Sequence, residues 1–136
     1  MHHPEDALAA YETITRGIRI SVEPDFLEEE SDPADDHYVW AYTVRIDNDS
    51  DEVVTLQGRL WHITDADGQT VTVKGDGVVG EQPHLKPGEG FQYTSGTMLE
   101  TSMGTMGGSY VMITDDGAEF RAPIEDFLLS APRTLH

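Results

Sequence analysis

Three observations predict an all-β protein, an antiparallel β-sandwich of about seven or eight short strands. Apolar and polar residues alternate with period two over most of the chain, turn signals recur every ten residues or so, and no helical segment joins the strands. The length, 136 residues, fits one domain with enough chain to bury a core.

Taken in order, the segment EDALAAYE (Glu5 to Glu12) has the composition for two helical turns but is too short to hold a helix alone. Residues 1–13 are therefore expected to form a mobile arm ahead of a single sandwich domain over 14–136. Ile18, Ile20 and Val22 alternate with polar residues as a half-buried strand, which Pro24 is expected to end. FLEEESDPADD is an acidic loop broken by Pro33. The strongest strand is HYVWAYTVRIDN, with Tyr38, Trp40, Tyr42, Val44 and Ile46 on one face.

The next strand, VVTLQGRLWHIT, is read with Leu56, Leu60 and His62 opposing Trp61 and Ile63. DADG, Asp65 to Gly68, turns it into QTVTV, because Gly68 accepts positive φ. Pro87-Gly88 precedes a strand with Phe91 and Tyr93 on one side. GSYVMIT, DDG and AEFRAPI make a second hairpin, and DFLLSAP is expected to supply a last edge strand. The set suits an immunoglobulin-like sandwich. Lacking any Cys-Trp-Cys pattern, it suits the fibronectin type III-like variant better. Trp40, Tyr42, Trp61, Phe91, Tyr93 and Tyr110 are expected to fill the space between the sheets.

Charge narrows the possible partners. With 26 acidic residues against 8 Lys and Arg, the formal net charge is -18, which opposes binding to naked nucleic acid. A basic partner protein or cations fit that surface, as does plain solubility. No apolar run is long enough to cross a bilayer, so no membrane insertion is expected. The start MHHPEDALAAYE has neither the basic nor the apolar part of a secretion signal, so a cytoplasmic location is expected. Zero cysteines exclude disulfides, thiolate metal sites and a Cys nucleophile.

One stretch invites a sharper reading. KGDGVVGEQP, Lys74 to Pro83, contains Gly75-x-Gly77-x-x-Gly80, the spacing of a dinucleotide fingerprint. That fingerprint works through a helix beginning at its third glycine, whereas Gly80 is followed by Glu81, Gln82, Pro83 and another strand. Two readings remain. In one, the backbone of Gly75, Asp76, Gly77, Val78, Val79, Gly80 and Glu81 offers amides to an anion as a nest, with Lys74 and Lys86 adding charge and a divalent cation offsetting Asp76 and Glu81. In the other, the glycines serve positive φ and a close strand crossing.

The blocks RLWHITDADGQ, GDGVVGEQPHLKPGEGFQYTSG, GTMGGSY and PRTLH, in this order from about Ile14 to His136, resemble the bacterial ApaG family. Where the family commonly reads Cys-Pro-Leu after Thr-Ser-Gly, this chain has Thr97-Met98-Leu99. The resemblance implies a fibronectin type III-like sandwich and an association with cobalt resistance and magnesium efflux. It also implies a gene neighbourhood with a diadenosine tetraphosphatase, protein-interaction roles in related eukaryotic domains, and a pyrophosphate-like motif carried here by Gly75, Gly77 and Gly80. A chain without a membrane span does not itself pump ions, so any such role is expected to be indirect.

No Gly-x-Ser-x-Gly elbow occurs, and Ser95 and Ser109 lie in strand or turn contexts with no His near in sequence. No enzymatic activity and no cofactor are expected. His2, His3, His37, His62, His84 and His136 lack ligand-like spacing. The acidic loop lacks the alternating pattern of a calcium loop, so no dedicated metal site is expected. His62, between Trp61 and Ile63, is expected to cap the edge of the core. The resulting expectation is a non-enzymatic binding or regulatory module with a protein partner, engaged through strand edges and the Gly75 to Pro83 loop. The alternative is a sensor of a nucleotide polyphosphate with a divalent cation. A homodimer through strand edges is also compatible with the pattern.

Overall fold

The period-two alternation is realised in nine strands among residues 11–132, the part described by the computed structural model. They are β1 (Tyr11–Thr15), β2 (Ile18–Phe26), β3 (Tyr38–Asn48), β4 (Val54–Asp65), β5 (Thr70–Asp76), β6 (His84–Leu85), β7 (Gly90–Leu99), β8 (Met103–Thr114) and β9 (Glu119–Ser130). All pairings are antiparallel. One sheet has the order β1-β2-β3-β7 and the other β5-β4-β8-β9, with β6 paired to β4. The result is a two-sheet antiparallel β-sandwich, as the alternation predicts.

The inward faces supply the core. Ile18, Ile20 and Val22 of β2 and Trp40, Tyr42, Val44 and Ile46 of β3 are all buried. They meet Leu56, Trp61, Tyr110, Met112, Phe127 and Leu129 from the other sheet. Trp61 is the hub, edge-on to Tyr42, Tyr110 and Phe127 at centroid distances of 5.4, 6.1 and 6.3 Å. Inside this core the Tyr93 and Tyr110 hydroxyls hydrogen-bond each other. The one fully buried side-chain amide among the core strands, Asn48, is satisfied throughout: its Nδ2 donates to the carbonyls of Glu52 and Leu85, and its Oδ1 accepts from Ser50.

Several expectations change. β1 begins at Tyr11, inside the segment read as an arm, and a two-residue Arg16-Gly17 turn joins it to β2. The remainder of that segment, residues 1–10, and of the Glu5 to Glu12 helix reading, lies outside the described residues, as does His136. Pro24 does not end β2, which runs on to Phe26. Beyond Val22 that strand has only β3 beside it among the described residues, and an edge tolerates a missing N–H.

The acidic loop holds two short 3-10 turns, Glu28–Glu30 and Pro33–Asp35. In β4 a bulge between Leu56 and Gly58 switches the parity of the strand. Leu56 and Trp61 therefore both face the core, Leu60 does not share Leu56's face, and His62 is exposed instead of capping the core. Finally, AEFRAPI and DFLLSAP are one strand, β9, bent at a second register shift opposite Met106 and Gly108.

Candidate functional site

The Asp65 to Gly68 hairpin sets the geometry of the glycine stretch. Its register pairs Thr64 with Thr70 and, counting back, Trp61 with Val73, Leu60 with Lys74 and Arg59 with Gly75. Gly75 and Asp76 are thus the last residues of β5. After Gly77 the chain folds back in a tight turn: the Val78 amide donates to the Glu81 carbonyl at 2.8 Å, and the Glu81 amide donates to the Val78 carbonyl at 2.9 Å. The two central residues, Val79 and Gly80, have φ of 43° and 82°. Positive φ at both positions defines a type I′ hairpin turn.

The glycines have structural tasks. A Cβ on Gly77 would lie 2.1 Å from the Glu81 carbonyl oxygen, and its φ is 60°, so only glycine allows the two limbs of the turn to approach. Its amide donates to the Gln57 carbonyl at 2.8 Å. Three amides that an anion nest would need, those of Gly77, Val78 and Glu81, are therefore spent inside the fold. The Val78 side chain is fully buried in the core and does not line a ligand surface, a correction to its place in the expected site. Lys86 sits beyond β6, in a turn where its amide donates to the Glu89 carboxylate, and does not join Lys74 beside the loop. Asp76, Glu81 and Val79 are exposed.

The residue missed in the sequence is Arg59. Its guanidinium lies across the inner side of Gly75, where an added Cβ would meet it at 3.1 Å. Its Nη1 donates to the carbonyls of Asp76 and Gly77 at 3.0 and 2.9 Å. The loop thus turns carbonyls toward a cation of its own chain. The hairpin register places Arg59 opposite Gly75, so counting from Gly68 carried the signal. On the opposite, outward face of this sheet Lys74 and Arg121 line an open groove of about 370 Å³ with Gln57, Asp76 and Gln82. Toward the core, Arg59 acts on a cluster of buried tyrosines. Burial holds the hydroxyls of Tyr42, Tyr93 and Tyr110 above the ordinary tyrosine range, while the nearby Arg59 charge pulls the other way.

Among the described residues no group of three or more His, Asp or Glu side chains is placed to hold a metal ion, and no helix is long and apolar enough to cross a membrane.

Comparison with known proteins agrees with this frame. The family model described as the ApaG domain matches residues 28–114. Protein ApaG of Stenotrophomonas maltophilia is 54% identical over 119 residues, covering 88% of this chain and 94% of that protein. Protein ApaG of Shewanella loihica is 51% identical over 119 residues, with the same coverage. The crystal structure of an ApaA protein from Bordetella pertussis superposes with a TM-score of 0.83 at 44% identity, covering 91% of this chain and 98% of that one.

Proposed function

Because the chain belongs to the ApaG domain family, we propose that it is a non-enzymatic binding module that engages a protein partner in the cytoplasm. Its contact face combines the tip of the Val78 to Glu81 turn with the adjoining edge strand β5. The observation that carries this reading is Val79. A β-branched residue at positive φ is a backbone outlier, and this one stands 53% exposed at the tip. The position accepts Asn or Gly far more readily, so local stability is sacrificed to present an apolar side chain. Such an outlier is a pointer to function. Any connection to cobalt or magnesium homeostasis then runs through the partner.

A second reading is supported by one observation: Lys74 and Arg121 share a groove beside the turn in a chain with only 8 Lys and Arg. A nucleotide polyphosphate with a divalent cation would be held there by those side chains, with the cation offsetting Asp76, and not by the glycine amides.

An amide NMR titration with diadenosine tetraphosphate, with and without Mg²⁺, separates the two. The protein-binding reading expects no shifts at Gly75, Gly77 and Gly80 at millimolar ligand. Saturable, Mg²⁺-dependent shifts at the groove overturn it in favour of the polyphosphate. The positive test is co-purification of partners with the wild-type chain and with Val79→Asn. Partners retained equally by both would remove the turn from the contact face.

A further inference from the structure

The two sheets end differently on their two sides. On one side β1 rests against β9, with the Tyr11 and Phe127 rings 5.6 Å apart. On the other side the terminal strands are β5 and β7, and an open cleft of about 550 Å³ runs between them. Ile63, Val71, Val73, Met98 and Leu99 line it, together with the acids Asp65 and Glu100.

The valines are the informative residues. Val73 pairs with Trp61 and Val71 with Ile63, and residues paired across an antiparallel ladder project to the same face. Both valines therefore occupy inward positions of the sandwich. Yet Trp61 is 2% exposed, while Val73 is 37% and Val71 is 60% exposed. Among the described residues, the sheet that should cover them stops one strand short, at β7.

The edge of β7 is also unguarded. Proteins blunt exposed edges with charge, proline, bulges or short length. β7 runs ten residues, GFQYTSGTML, without a charged residue or proline, in a chain that is 25% charged. It pairs with β3 over its whole length with no register shift. β5 by contrast carries Lys74 and Asp76, and β9 carries Pro123, several charges and a bulge.

We propose that the free edge of β7 accepts an extended segment of a basic partner protein as a fifth strand of the β1-β2-β3-β7 sheet. Alternate apolar side chains of that segment cover Val71 and Val73. Lys or Arg at its ends meets Glu89 and Glu100, the acids that flank β7 at either end. The charge of -18 selects this occupant over a second copy of the chain, which would bring the same charge to the contact. The inference rests on the protein-binding reading above and gives the partner its chemistry.

The test uses the full chain, isotope-labelled, and a blocked ten-residue peptide in which threonine and valine alternate, with lysine at each end. A second peptide carries glutamate at both ends. The expected result is saturable shifts of the β7 amides, slowed hydrogen exchange along β7, and affinity for the lysine peptide at least roughly tenfold above that of the glutamate peptide. Val71→Asp, at an exposed position, should weaken binding by about tenfold or more, the scale of one lost valine contact. Absence of β7 shifts at millimolar lysine peptide overturns the proposal. Concentration-dependent dimerisation that protects β7 overturns it in favour of a second copy. If natural partners are lost with Val79→Asn but kept with Val71→Asp, this inference fails and the protein-binding reading stands. If neither substitution releases them, the turn and β5 edge lose their assigned role as well.

Discussion

At the scale of single residues, side chains are spent in two opposite ways. Val79 is held where valine is disfavoured. Val79→Asn keeps both hydrogen bonds of the turn and relieves the backbone, so it should raise stability by about 0.5–1 kcal/mol in urea titrations. A drop in stability would mean that the valine is held by packing and not presented. Tyr93 and Tyr110 show the other extreme, two buried hydroxyls that, among the described residues, hydrogen-bond only each other. Tyr93→Phe should cost about 1–3 kcal/mol, because it leaves the Tyr110 hydroxyl buried and alone. The double change Tyr93→Phe, Tyr110→Phe should cost less than the sum of the singles in a double-mutant cycle. Additive losses would show that the pair is not coupled. None of this was readable from residue type alone: Val79 looked like a ligand-loop residue, and which tyrosines meet depends on how the two sheets face.

At the scale of elements, the turn after β5 is the testable unit. Gly77→Ala places a Cβ against the Glu81 carbonyl as well as at positive φ, whereas Gly80→Ala meets open space and only the φ penalty. Thermal melts should therefore show Gly77→Ala losing about 2–4 kcal/mol and Gly80→Ala about 1 kcal/mol. Equal losses would mean that the turn rearranges. This unit also shows where sequence reading succeeds and stops. The spacing after Gly80 ruled out a helix-borne phosphate site, and the hairpin at Gly68 was legible from its four residues. What escaped was the bulge beside Gly58, because one extra residue inverts every later position of β4 without leaving any compositional mark. The continuity of β9 escaped for the opposite reason: Pro123 and the charges after it are compositional marks that read as a break in what is one strand. Arg59 was hidden by type: an arginine on a strand reads as surface until the register sets it across Gly75.

At the scale of the whole molecule, the sandwich was legible because the central strands β2 and β3 announce themselves by alternation, while the open side was not, because sheet order places β5 and β7 there. The buried tyrosines give this molecule an alkaline limit that follows from its architecture. Tyr42, Tyr93 and Tyr110 are buried in one core, and burial raises the point at which each loses its proton above that of the unfolded chain, about 10. Above that value the unfolded state releases tyrosine protons that the folded state retains, so the unfolded state binds fewer protons and stability falls as pH rises. Their contribution is fully present below pH ~10 and declines above it, by at most about 1.4 kcal/mol per pH unit for each tyrosine. Exposed ion pairs such as Arg16–Glu52 contribute little to this profile, being open to solvent. Urea titrations from pH 8 to pH 11.5 should show this decline in the wild-type chain and a shallower one in the Tyr93→Phe, Tyr110→Phe variant. Parallel slopes would show that the alkaline loss belongs to general repulsion in a chain of net charge -18 and not to the tyrosine core.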